Sequence, residues 1–156
     1  MSINLTLPTR PVQEPAWQTL AEFVLPSQRD SDRQARAQVA EAVAPLKLPE
    51  AHLERLKTAV AEATLNAIEH GNRYRPDAPV IIRVQVSEQA LRVSVTDRGG
   101  GPISPPQPPD LAAKVSGQQT LRGWGFFLIE RMVDELQVRE DGAQHTIELF
   151  LYLETP

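Results

Sequence analysis

Glu62-Ala-Thr-Leu-Asn66-Ala-Ile-Glu-His70-Gly71 is the stretch on which the reading of this chain turns. It closes a longer run, Pro49 to about Asn72, in which Leu53, Leu56, Val60, Ala63 and Ala67 recur at helical spacing. Such a stripe marks a helix with one buried face, and Gly71 stands where a helix terminator belongs. Glu62 and Asn66 then project from one side of that helix, four residues apart. A carboxylate beside an amide oxygen can handle a proton and an oxygen-seeking cation such as Mg²⁺. Taken alone, the pair is also what a solvated helix face carries. His70, one turn further on, reads as a structural histidine near the helix C-terminus.

Downstream, Val80 to Val86 and Leu91 to Asp97 alternate as two strands joined around Ser87-Glu88-Gln89, a hairpin. Val80, Ile82, Val84 and Val86 share one face, and Leu91, Val93 and Val95 share another. Asp97 continues the apolar row of the second strand, where a carboxylate is costly unless something donates to it. The exocyclic amine of adenine is such a donor, with Gly99 and Gly101 letting backbone approach the ring. An aspartate bonding its own turn is the other reading. Prolines rather than a helix follow this Asp-x-Gly-x-Gly, so it is no dinucleotide fingerprint, and no phosphate loop ending in Gly-Lys-Ser/Thr occurs. Any grip on phosphates falls to Gly123-Trp-Gly125, at the start of a helix running from Gly125 to Val133 with Phe126, Ile129, Met132 and Val133 inward. Backbone amides at the positive end of that helix, with Arg122 beside them, suit an anion. By itself the Gly-x-Gly is also an ordinary turn.

The remaining elements complete a layer. Trp17 to Leu25 alternates as a strand. A helix begins at Asp30 or Ser31, runs to about Ala44 and stops at Pro45. Ala35, Val39, Ala42 and Val43 mark its inner side, while Arg29, Arg33 and Arg36 decorate another. Glu135 to Arg139, the turn Asp141-Gly142, and Gln144 to Leu153 form a closing hairpin. Five prolines fall between 102 and 109, and the segment of about 102–122 reads as a lid. Residues 1–16 read as a flexible leader and 17–156 as one domain. The order of elements predicts an α+β fold, a two-layer sandwich of helices on one face of a mixed, mostly antiparallel sheet.

Composition narrows the function. The 156 residues are 41% hydrophobic and 23% charged, with a formal net charge of −4, values ordinary for a globular domain. An acidic balance without a basic run argues against a nucleic-acid partner. With no cysteine, disulfides, thiolate catalysis and Cys-ligated zinc are excluded. The start carries no secretory signal pattern, and no apolar run approaches the ~20 residues that span a bilayer. A cytoplasmic protein without a membrane partner is expected.

With these three boxes in this order, the chain resembles the anti-sigma factor serine/threonine kinases of bacterial partner-switching systems, over about residues 17–153. These belong to the ATP-binding superfamily shared with gyrase, the heat-shock chaperone and histidine kinases (the Bergerat-type fold). The resemblance implies that Glu62 is the catalytic base, Asn66 the Mg²⁺ ligand and Asp97 the adenine-binding aspartate. It assigns Gly99, Gly101, Gly123 and Gly125 to the nucleotide, and Thr146 to the position behind adenine, with His145 before it where the family has glycine. By spacing, Arg36 matches an arginine that contacts partners. The implied activity is ATP-dependent phosphorylation of an antagonist (anti-anti-sigma) protein, releasing the kinase to sequester a sigma factor or other regulator, in a homodimer. Two other functions compete: a regulatory module that binds ATP and captures a regulator without kinase activity, and a histidine-kinase-like catalytic domain acting in trans.

Overall fold

Alternation along the strands and 3.6-residue spacing along the helices leave two apolar surfaces that bury only against each other. The computed structural model describes residues 16–99 and 121–153, with the backbone alone for 121–125. Five strands, β1 (Gln18–Leu25), β2 (Val80–Val86), β3 (Ala90–Asp97), β4 (Glu135–Asp141) and β5 (Gln144–Tyr152), form one sheet in the order β1-β2-β3-β5-β4. Helices α1 (Ser31–Val43), α2 (Glu50–Asn66) and α3 (Leu121–Met132) make the second layer, with α2 central and packed against both others.

The α+β sandwich with helices on one face is as expected. The sheet is narrower in kind than a mixed one: all four strand pairs are antiparallel. The reason lies in the connections. β2–β3 and β4–β5 are hairpins, and the remaining neighbours, β1–β2 and β3–β5, also run in opposite directions across helical crossovers.

The core lies between the layers. Val80, Ile82 and Val84 of β2, Leu91, Val93 and Val95 of β3, and Ile147, Leu149 and Leu151 of β5 face the helices. Ala35, Val39 and Val43 of α1, Leu56, Ala59, Val60 and Ala63 of α2, and Phe126 and Ile129 of α3 meet them. The opposite face of the sheet is polar: Arg83, Gln85, Arg92, Ser94, Thr96, Thr146 and Glu148 line a shallow cavity of about 340 Å³ there. Its cations are already matched. Arg83 Nε lies 2.9 Å from Glu22 Oε2, and Arg139 Nε lies 2.5 Å from Glu148 Oε1 as an ion pair without hydrogen-bond alignment.

The helix ends carry the local detail. Asp30 takes the cap position of α1 with φ 73° and its side chain makes no capping bond, while Ser31 Oγ donates back to Pro26 O at 2.7 Å. Around Pro45 the chain tightens into a 3₁₀ turn, Ala44–Leu46, closed by Lys47 at φ 52°. Helix α2 ends sooner than its periodicity predicts. Beyond Asn66 the chain widens into a π turn, Ala67–Gly71, closed by Asn72 N–H donating to Ala67 O at 2.7 Å. Such widened turns recur at functional sites. Helix α3 begins earlier than predicted, at Leu121, so Gly123 and Gly125 lie within its first turns rather than before it. The leader to residue 15, the lid segment 102–120 and Gly101 lie outside the described residues.

Leu56 is fully buried, whereas Val24 is 59% exposed. Leu56→Ala is expected to cost about 2–5 kcal/mol by cavity formation, and Val24→Ala under about 0.5 kcal/mol. Urea unfolding of the two variants checks the difference.

Candidate functional site

The site assembles where α2 ends against β3. Asp97 occupies the last helix-facing position of β3, as its place in the apolar row requires, and is 6% exposed. Its Oδ1 accepts the Gly99 N–H at 2.8 Å, so the aspartate does bond its own turn. That is not its whole environment. His145 Nδ1 lies 3.1 Å from the same oxygen, and His145 is 7% exposed. On another side stands Gly71, the last residue of the π turn: a Cβ added there would lie 2.6 Å from Asp97 Oδ1 and closer still to other carboxyl atoms. A Cβ on Gly99 would in turn collide with the Gly71 backbone. Both glycines are required by close approach, not by unusual backbone angles.

Asn72 holds this junction together. It is completely buried. Its Nδ2 donates to Ser27 Oγ at 3.0 Å and Pro79 O at 3.2 Å, and its Oδ1 accepts the Arg98 N–H at 2.8 Å. One side chain thus ties the end of the α2 segment to the chain after β1, before β2 and after β3. Sequence reading passed over Asn72, because an Asn beyond a helix-ending glycine looks like an ordinary loop residue.

Glu62 and Asn66 share a face of α2, as their spacing requires. Glu62 is half-buried, and its carboxyl pKa is pushed above the ordinary 4.5, first by loss of hydration and then by the charges of Asp32 and Glu69. Asn66 is 8% exposed, and its Nδ2 is buried with no hydrogen-bond partner among the described residues. An unpaired buried amide costs about 1–3 kcal/mol, so the position calls for a polar ligand. A half-turn of the amide offers Oδ1 in place of Nδ2, which fits a cation, while the amide N–H fits a phosphate oxygen or water. No group of three or more His, Cys or acidic residues that could hold a metal occurs among the described residues.

Thr146 requires a correction. It pairs with Thr96 across the β3–β5 ladder, and the two hydroxyls are 2.9 Å apart. That places it on the open face of the sheet, beside Arg139 and Glu148, with the sheet between it and the helix-facing Asp97. The physical cause is strand parity: side chains one residue apart point to opposite faces. His145, directly opposite Asp97 in the register, takes the helix-facing place on β5 instead. The signal was present, since His145 falls in step with Ile147, Leu149 and Leu151.

Arg33 and Arg36 are exposed on α1, and Arg29 is exposed just before it. His70 Nε2 lies 3.9 Å from Glu69 Oε2. The backbone of Arg122, Gly123 and Gly125 belongs to the start of α3, which packs on α2.

Comparison with known proteins follows the same outline. The model of the histidine kinase-like ATPase domain matches residues 25–150. The anti-sigma F factor of Bacillus cytotoxicus is 30% identical over 120 residues, 76% of this chain and 82% of that protein. That of Clostridium beijerinckii is 30% identical over 125 residues, 80% of this chain and 86% of that protein. Among solved structures, the RsbU and RsbW domains of Rv1364c from Mycobacterium tuberculosis superpose with a TM-score of 0.61 at 21% identity. That match covers 84% of this chain and 31% of the other, and shows the fold.

Because Glu62 binds its proton more tightly folded than unfolded, its contribution to stability is complete below 4.5 and is lost as pH rises through the raised native value. Glu62→Gln removes that loss. The variant is expected to gain stability relative to wild type as pH rises from 4 to 8, with urea midpoints at each pH as the measurement; parallel curves would contradict it.

Proposed function

Because the chain belongs to the histidine kinase-like ATPase domain family, among the anti-sigma factor kinases of that superfamily, we propose that it is an ATP-dependent serine/threonine kinase acting on a small antagonist protein. The observation that carries this reading is the junction at Gly71. There a buried carboxylate, Asp97, meets the end of the helix that bears Glu62 and the unpaired amide of Asn66. Base recognition, cation binding and proton handling thus rest on two adjoining elements.

In this reading Asp97 accepts the exocyclic amine of adenine, and Gly71 and Gly99, where no side chain fits, let the helix end and the strand end close around the carboxylate. Asn66 would hold Mg²⁺, which supplies neutralisation of phosphate charge. The first turn of α3, with Arg122 and Gly123, would offer phosphates free backbone N–H groups and the positive end of the helix dipole, and Gly125 would allow close approach. Gly101 and the lid would complete the grip. Glu62 takes the proton of the attacking hydroxyl as its oxygen bonds to the γ-phosphorus and the bond to the β,γ-bridging oxygen breaks, releasing ADP. A carboxyl whose pKa is raised is a stronger base near neutrality. The larger part of the catalysis is positioning and charge stabilisation, as in phosphoryl transfer generally.

Phosphorylation of the antagonist would free the kinase to sequester a sigma factor or related regulator, with Arg36 on the exposed side of α1 as a contact. The family resemblance supports a homodimer. No helix among the described residues is long and apolar enough to cross a membrane, which supports the cytoplasmic placement we propose.

Two measurements test the proposal. Glu62→Ala should lower transfer of label from [γ-³²P]ATP to a cognate antagonist by roughly 100-fold or more, while nucleotide binding persists. Undiminished transfer would remove Glu62 from its role, and partner capture without any transfer in wild type would leave a binding module. Asp97→Ala should weaken ATP binding in calorimetry by roughly 10- to 100-fold, the worth of a hydrogen bond to a charged group. Equal affinity would remove the adenine contact.

A further inference from the structure

We infer that His145 is a positioning residue for purine recognition: by holding the Asp97 carboxylate in one orientation, it sets the preference for bases that carry an exocyclic amine. The inference rests on the nucleotide reading above and adds a residue to it.

The register puts His145 directly across from Asp97, on the helix-facing row of β5 whose next members are Ile147, Leu149 and Leu151, all buried. A histidine in that row displaces an apolar side chain and has to be compensated by a hydrogen bond. Its Nδ1 is 3.1 Å from Asp97 Oδ1, with both residues less than a tenth exposed. A carboxylate oxygen only accepts, so the hydrogen resides on Nδ1 in either charge state of the ring. The same oxygen takes the Gly99 N–H at 2.8 Å.

Two donors on one oxygen leave the carboxylate little torsional freedom. Gly71 closes a further side, at a distance that would not admit even a methyl group. The carboxylate is therefore oriented before any ligand arrives, and a group ordered in advance loses less entropy on binding and discriminates better by geometry. His145 acts through Asp97, whose carboxylate it orients. Its removal should alter which base is preferred more than how tightly the remainder of a nucleotide is held.

The test uses the full chain and two ligands in calorimetry with Mg²⁺: ADP, and purine riboside 5′-diphosphate, which lacks the exocyclic amine. The readout is the ratio of their affinities, in which any general loosening of the fold cancels. His145→Ala is expected to lower the preference for ADP by at least roughly fivefold, the net worth of a typical hydrogen bond. His145→Asn, whose amide places a donor near the Nδ1 position, should keep it within about twofold of wild type. A ratio unchanged in His145→Ala, or one lost equally in both variants, overturns the assignment. Should His145→Ala fail to fold, His145→Gln decides instead, because its amide reaches past the Nδ1 position: a lowered ratio supports the inference and an unchanged one overturns it. Absence of ADP binding by wild type would sink the nucleotide reading and this inference together, whereas ADP binding with an insensitive ratio sinks this inference alone.

Discussion

Asp97 is a carboxylate placed in an apolar row, and much of the local architecture answers that one cost. Burying an ion without donors is prohibitive. Here Gly99 and His145 converge on the same oxygen, and the helix end is brought close enough to wall it in. That closeness is available only because residue 71 has no side chain. The strand end and the helix end are therefore mutually required: a larger residue at 71 would displace the carboxylate, and a displaced β3 terminus would lose the bond that Arg98 makes to Asn72.

The π turn serves the same end. An ordinary helical continuation past Asn66 would advance Gly71 and Asn72 by a different rotation and rise. Widening the turn through the 2.7 Å bond from Asn72 to Ala67 sets Gly71 against Asp97 and turns Asn72 into the gap between the β1 exit and the β2 entry. The widened turn brings the end of the helix that bears Glu62 and Asn66 against the buried Asp97 carboxylate. Unpaired or crowded polar groups of this kind concentrate where a ligand belongs.

The two faces of the sheet divide the work. The helix-facing side supplies both the core and the site, because Asp97 and His145 extend the apolar rows of β3 and β5. The open side pairs its charges internally, Arg83 with Glu22 and Arg139 with Glu148. Its cations are satisfied by neighbouring carboxylates, and it holds none of the groups that the α2 face contributes.

Much of this was readable along the chain. Stripes such as Leu56, Val60 and Ala63, and alternations such as Val80, Ile82 and Val84, name their own secondary structure, because burial of one face enforces the period. Glu62 with Asn66, and Asp97 in its apolar row, were visible for the same reason. What eluded sequence reading was pairing. Thr146 looked suitable as a residue type, but parity on β5 sends it to the far face and brings His145 to Asp97. Asn72 looked like a loop residue until three strands were seen to converge on it. By itself the sequence determined the elements, their buried faces and the residue types of the site, all consequences of local period and polarity. Only the tertiary structure decided which side chains meet, because register across β3 and β5 and the widened end of α2 depend on how distant segments pack.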